Sequence, residues 1–150
     1  AELLEAFSAK KLRNYYLLNP DEEGERHFKL ILSETDKDTL LAHPVVGQSW
    51  ECFVVENLIA VAPEGVDAYF YRTGGGAEID LLLVWPDGRK WAIEIKRSLS
   101  PKVERGFHAA CADLMPERKF VVYPGAERYP LAADIEALPL VTLAEQLAGT

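Results

Sequence analysis

A chain of 150 residues, 49% hydrophobic and 27% charged, has the material for one ordinary domain and little room for two. At this length roughly 68–70% of the unfolded surface is buried on folding, so neither a disulfide framework nor a structural metal is required; the only two cysteines, Cys52 and Cys111, form no C-x-x-C pair and read as reduced, packed thiols, which excludes a structural zinc site. A net charge of −8 argues against a protein whose main task is coating nucleic acid, because non-specific affinity comes from Lys and Arg displacing counterions from phosphates.

The first forty-odd residues carry the weakest patterns. Ala1 to Leu12 has helical spacing at Leu3, Leu4 and Phe7; Asn14 to Leu18 is a short strand-like run ended by Asn19-Pro20, and Phe28 to Leu32 is another. From His43 onward the pattern sharpens. Ser49 to Ala62 reads as a helix with Ser49 as its N-cap, and on a helical wheel Val54, Val55, Leu58 and Ile59 make one apolar stripe. Glu51 falls inside that stripe and Glu56 outside it, on the polar side. A carboxylate on a buried face asks for a reason, although the helix macrodipole alone also favours an acid in the first turn.

Ala68 to Arg72 reads as a strand, Thr73-Gly74-Gly75-Gly76 as a flexible connection, and Glu78 to Trp85 and Lys90 to Lys96 as two further strands. Between the last two, Pro86-Asp87-Gly88 has the chemistry of a three-residue hairpin loop: Pro suits the first turn position and Gly the left-handed position that follows. This choice sets the register. If Trp85 pairs with Arg89, Asp80 lies opposite Glu94 on one face, with Lys96 two residues further along it. Ser100-Pro101 predicts a helix start running through Asp113, closed by Met115-Pro116. Phe120 to Tyr123 is a strand, and Ile135 to Leu143 reads as a last strand passing into a helix over Ala144 to Leu147.

The string that carries chemistry is Glu78-Ile79-Asp80, then Glu94-Ile95-Lys96. Two carboxylates and an ammonium converging at one hairpin end either share a proton or bind a cation, and hard oxygen ligands suit Mg²⁺ or Mn²⁺. An exposed salt-bridged strand face is the plain alternative. Glu78 fits an outer salt bridge better than the site. His43 and His108 have no nucleophile partner, and Trp50, Trp85 and Trp91 read as core or edge aromatics. Four of the sixteen basic residues, Lys96, Arg97, Lys102 and Arg105, fall within ten positions; Arg97, Lys102 and Arg105 are candidates for gripping a phosphate backbone, although a solvated helix face is the usual role of such residues. The longest uncharged apolar runs, Leu58 to Pro63 and Leu81 to Pro86, fall far short of the roughly 20 residues that span a bilayer. With no basic-then-apolar leader at the start, a cytoplasmic protein without membrane contact is expected.

With these residues in hand, the sequence resembles the PD-(D/E)XK nuclease superfamily, whose core runs helix, three strands, helix, strand. The resemblance matches Asp80 to the superfamily's strand-two acid and Glu94-x-Lys96 to its acid-x-Lys. Gly47-Gln48-Ser49-Trp50-Glu51 matches the Gly-x-x-x-Glu setting of its helical glutamate. More closely, residues from about His43 to Leu147 resemble the C-terminal domain, of unknown function, of bacterial and archaeal P-loop ATPases of the AAA type. His43-Pro44-Val45-Val46-Gly47, Phe70-Tyr71-Arg72-Thr73 and Phe120-Val121-Val122-Tyr123-Pro124-Gly125 carry that likeness. It departs from the pattern over residues 1–42, and no G-x-x-x-x-G-K-[ST] loop is present to bind ATP in the P-loop manner.

The resemblance implies an α/β, restriction-endonuclease-like core with a mixed central sheet flanked by helices. Residues 43–150 would form this domain, with 1–42 an extension packed on it. It implies a Mg²⁺- or Mn²⁺-dependent nuclease acting on DNA phosphodiesters, with Asp80, Glu94 and Glu51 as metal ligands, Lys96 as electrostatic and water-positioning group, and Arg97, Lys102 and Arg105 touching substrate. The reading from a different class is an inactive nuclease-fold interaction or regulatory module, a homodimer or a companion of an AAA-type ATPase in cis or in trans. RNA and small phosphodiesters stay open as substrates, since the backbone chemistry is shared.

Overall fold

Pro86, Asp87 and Gly88 make the turn from which the sheet register follows. The Gly88 N–H donates to the Trp85 carbonyl and the Trp85 N–H to the Arg89 carbonyl, both at 2.9 Å, with Gly88 at φ 92°. That left-handed backbone is free of strain only for glycine. The strands it joins, β4 (Glu78–Val84) and β5 (Lys90–Ile95), pair antiparallel with Val84 opposite Lys90 and Leu81 opposite Ile93, as the three-residue loop predicts. This computed structural model describes residues 15–19, 27–32 and 50–150.

The remaining described elements are β1 (Tyr15–Asn19), β2 (His27–Leu32), α1 (Trp50–Val61), β3 (Asp67–Arg72), α2 (Arg105–Leu114), β6 (Arg118–Val122), β7 (Tyr129–Ala132), β8 (Ile135–Leu138) and α3 (Leu140–Ala148). Among the described residues the strands form one eight-stranded sheet in the order β2-β1-β3-β4-β5-β6-β8-β7. It is mixed: β1 and β3, β5 and β6, and β6 and β8 run parallel, and the other neighbours antiparallel. Parallel neighbours need a crossover, and α2 supplies it between β5 and β6.

Helices cover both faces. On one side Val54, Leu58 and Ile59 of α1 and Leu143 and Leu147 of α3 pack on Leu81, Leu83, Ile93, Phe120 and Val122. On the other, Phe107, Ala110 and Cys111 of α2 pack on Leu82, Ala92 and Val121. Trp85 and Trp91 join the first core with ring centroids 4.9 Å apart, and Phe120 lies beyond them with its ring tilted at 5.3 Å from Trp91. These buried rings each remove a large apolar area from water, and fix the middle of the sheet against which the hairpin end is held. Among the described residues no helix is long and apolar enough to cross a membrane.

Several expectations are corrected. The second helix begins at Arg105, not at Ser100-Pro101: the chain is bent at Ser98–Ser100, where the Ser100 N–H donates to Ser98 Oγ, and Pro101 is buried before Glu104 takes the N-cap position without a side-chain capping bond. The last strand ends at Leu138, because Pro139 has no N–H for the ladder and opens α3, whose buried Leu140, Leu143, Ala144 and Leu147 have helical spacing. The edge strand β7, with Pro130 inside it, carried no strand signal. Glu56 is not on a polar side. Residues 54–60 of α1 are all buried, so its middle has no solvent face, and Glu56 is 4% exposed. Cys111 is buried, and burial raises its thiol to about 11, whereas Cys52 is half-buried. The expected helix over Ala1 to Leu12, the Ser49 cap and the Gly47 setting lie outside the described residues.

Candidate functional site

Asp80 is aimed by an irregularity in β4. Tyr69 of β3 pairs with Leu82 and Tyr71 with Ile79, so Asp80 and Leu81 together oppose the single residue Phe70. Such a bulge interrupts the two-residue alternation: Ile79 and Leu82 pack on the α2 side and Leu81 on the α1 side. The ladder to β5 runs from Val84 to Leu81, and past it Asp80 Oδ2 accepts the Ile95 N–H at 2.9 Å. The register expected from the turn holds to Leu81 opposite Ile93, and beyond it the Asp80 side chain is stitched to the backbone of β5.

Four of the sequence-predicted residues meet in one pocket of about 210 Å³: Glu51 from the first turn of α1, Asp80 from β4, and Glu94 and Lys96 from the end of β5. Gly76 from the β3–β4 turn and Glu78 from the start of β4 border it, as do Glu104 and Gly106 at the start of α2. That turn is closed, with Thr73 N–H donating to the Ala77 carbonyl and Ala77 N–H to Thr73 Oγ1, where a loose glycine hinge was expected. Glu78 is exposed at the rim. Arg97, Lys102 and Arg105 are exposed and do not line the pocket.

The acids divide into two pairs. Glu51 lies close enough to Asp80 to share a hydrogen bond, and Asp80 is pushed up to about 8 by burial, then by the Glu51 charge, against the opposing pull of the Ile95 N–H. This carboxyl holds a proton at neutral pH in the metal-free protein. Glu94 is 7% exposed; burial raises it although Lys96 Nζ stands 3.3 Å from Oε1, and its Oε2 has no hydrogen-bond partner. Burial pulls Lys96 down, but its hydrogen bond to Glu104 and the Glu94 charge more than offset that and hold it above its ordinary range.

Three residues were missed as parts of the site. Trp50 Nε1 donates to the Lys96 carbonyl at 3.0 Å, tying the helix that bears Glu51 to the strand that bears Lys96. Glu104 meets Lys96 Nζ at 2.7 Å, and its place amid basic residues was the only signal in the sequence. Gly106 lies where a Cβ would run into the Gly76 carbonyl oxygen, so glycine lets α2 close onto the pocket.

The donor set has the hardness that Mg²⁺ or Mn²⁺ prefers: carboxylates from three elements, one proton-sharing pair, and one buried oxygen without a donor. Among the described residues no three His, Cys, Asp or Glu side chains stand close enough together in this structure to hold a metal ion. A larger depression of about 430 Å³ between β6 and the β7–β8 hairpin offers less chemistry, since its Lys119 and Asp134 already form an ion pair at 2.5 Å.

Residues 46–143 match the family described as Domain of unknown function (DUF4143). Over 110 residues the chain is 40% identical to an uncharacterized protein of Mycobacterium tuberculosis and equally to one of Mycobacterium bovis. The match takes in 73% of this chain and 24% of each relative, so the chain spans about a quarter of the length of the curated relatives it matches. No solved structure matches the chain.

Proposed function

The chain belongs to the DUF4143 family, whose name assigns no chemistry, and from the site itself we propose a divalent-metal-dependent nuclease of the PD-(D/E)XK type acting on DNA. The observation that carries this reading is the convergence of Glu51, Asp80, Glu94 and Lys96 on one pocket, with a β-bulge aiming Asp80 and a buried Glu94 oxygen left without a donor. A salt-bridged strand face has no need of a proton-sharing acid pair beneath it.

In this reading Asp80, Glu94 and Glu51 hold Mg²⁺ or Mn²⁺. When bound, such an ion polarises a phosphoryl oxygen and acidifies the attacking water. Asp80 would bind such an ion as the deprotonated carboxylate, and the ion's charge would offset its repulsion with Glu51 and the cost of its burial. Lys96 faces the charge that develops on the phosphoryl oxygens and orients water beside Glu94. Trp50 fixes the Lys96 backbone, so the ligand from α1 and the ammonium from β5 keep one spacing. Arg97, Lys102 and Arg105 lie outside the pocket, which suits contact with flanking phosphates and not with the scissile one.

The second reading, a nuclease fold without chemistry acting as an interaction module, draws on Lys96 being engaged by two acids and on the open arrangement of the carboxylates. The longer relatives leave room for the AAA-type ATPase module that the sequence resemblance implies, and a homodimer is the form such a module would take alone. Nicking of supercoiled plasmid with Mg²⁺ or Mn²⁺ separates the two readings. The nuclease predicts metal-dependent nicking by the wild type that Asp80→Ala and Lys96→Ala each abolish; nicking that survives both substitutions, or none by the wild type, refutes it.

A further inference from the structure

Lys96 has two acidic neighbours of different kinds. Glu94, on its own strand, is buried and stands 3.3 Å away; Glu104 reaches in from the start of α2 to 2.7 Å with a side chain that is 71% exposed. The lysine side chain is only 20% exposed, so the carboxylate of Glu104 stands between the ammonium and solvent. It is on that side that an incoming anion would arrive.

The position of Glu104 is built by its surroundings. Glu104 is the N-cap residue of α2, in extended backbone at φ −86° and ψ 158°, yet its side chain makes no capping hydrogen bond. An acidic N-cap whose carboxylate makes no bond to the first-turn N–H groups forgoes the usual stabilisation of roughly 1 kcal/mol. Instead it turns to Lys96. Two residues on, Gly106 allows α2 to rest on the Gly76 carbonyl, where any Cβ would collide, and this fixes the backbone from which Glu104 projects. Beside it Glu94 Oε2 is buried, without a hydrogen-bond partner, and lines the same pocket.

We propose that Glu104 is a latch on Lys96, a carboxylate that fills the outer hydrogen-bonding position of the ammonium in the resting protein and is displaced by a phosphate group of the substrate. The inference deepens the nuclease reading and shares its substrate class. It explains why the helix starts at Arg105 and not at the Ser100-Pro101 signal: the segment between is spent in bringing Glu104 over the lysine. It also gives the site a threshold. A lone weak anion must compete with Glu104 for one ammonium, whereas a polyphosphate backbone also engages the exposed Arg97, Lys102 and Arg105 of the same segment.

The test is a titration of the full chain with inorganic phosphate, at constant ionic strength and with a chelator present, followed by the amide shifts of Lys96 and residue 104. Glu104→Gln should bind phosphate about two- to fivefold more tightly than the wild type, the scale of one partly exposed ion pair. Adding Lys96→Met should remove the gain, and Glu104→Ala should act in the same direction as Glu104→Gln. Unchanged or weaker phosphate binding by Glu104→Gln overturns the latch. So does a loss of Mn²⁺ affinity in Glu104→Gln, since that would make Glu104 a metal ligand. Phosphate binding needs no catalysis, so the latch and the nuclease reading can fail separately.

Discussion

Replacing Asp80 by Asn in the metal-free protein should stabilise it, by an amount that grows with pH. Burial and the Glu51 charge lift this carboxyl from 3.8 to about 8, so between these limits the native state holds a proton that the unfolded chain has released. Stability linked to Asp80 is therefore complete below about pH 4, falls as pH rises, and levels off above about 8. At pH 7 some three units of that window have been crossed, which at about 1.4 kcal/mol per unit is a ceiling of about 4 kcal/mol. Asparagine is close in shape to the protonated acid: its oxygen can accept the Ile95 N–H and its amide can donate to Glu51. The gain of Asp80→Asn over wild type should be near zero at pH 4 and reach about 2–4 kcal/mol at pH 7. Urea unfolding of both proteins at half-unit pH steps, with chelator present, measures it. A difference that stays constant from pH 4 to 8, or shrinks as pH rises, would refute the claim that burial and Glu51 hold a proton on Asp80.

Other substitutions test the frame around the site. Gly106→Ala sets a methyl against the Gly76 carbonyl and should cost roughly 1–3 kcal/mol in thermal unfolding while shifting the amide resonances of Gly76 and Glu78; an unperturbed Gly76 would disprove the close approach. Met115 ends α2 in left-handed backbone at φ 51° and is 82% exposed, so Met115→Gly should raise stability by roughly 0.5–1 kcal/mol, and a loss would contradict that geometry. Trp50→Phe removes the hydrogen bond to the Lys96 carbonyl at a cost of about 1 kcal/mol. It should also weaken Mn²⁺ binding if α1 is held in place through that bond.

What was legible in the sequence was local chemistry with one solution. Pro86-Asp87-Gly88 favours a three-residue loop over the two-residue Asp-Gly turn that would shift the pairing by one, and the register from Val84 to Leu81 followed from it. The apolar stripe of α1 was legible too, because Val54, Leu58 and Ile59 meet the sheet whatever lies behind the helix. Glu56 was not: a helix wheel assumes that one side meets water, and burial along 54–60 is a property of the assembled fold. The bulge at Asp80 depends on β3, a strand whose pairing partner cannot be read from the β4 segment. The late start of α2 shows a local signal overridden by a tertiary one. Ser100-Pro101 is a sound helix opening by itself, but the pairing of Glu104 with Lys96 and the contact at Gly106 draw the first turn onward. Of the site, Glu51, Asp80, Glu94 and Lys96 were legible through their spacing, whereas Trp50, Glu104 and Gly106 act through a backbone carbonyl, an ion pair and a contact that only the fold creates.

Calorimetric titration of Mn²⁺ into the wild type and Asp80→Asn tests the central claim most directly, since it asks whether the acids that share a proton are also the acids that hold an ion. One ion per wild-type chain, bound with release of a proton and lost in Asp80→Asn, is the result expected. Equal binding by both proteins, or none by the wild type, would contradict it.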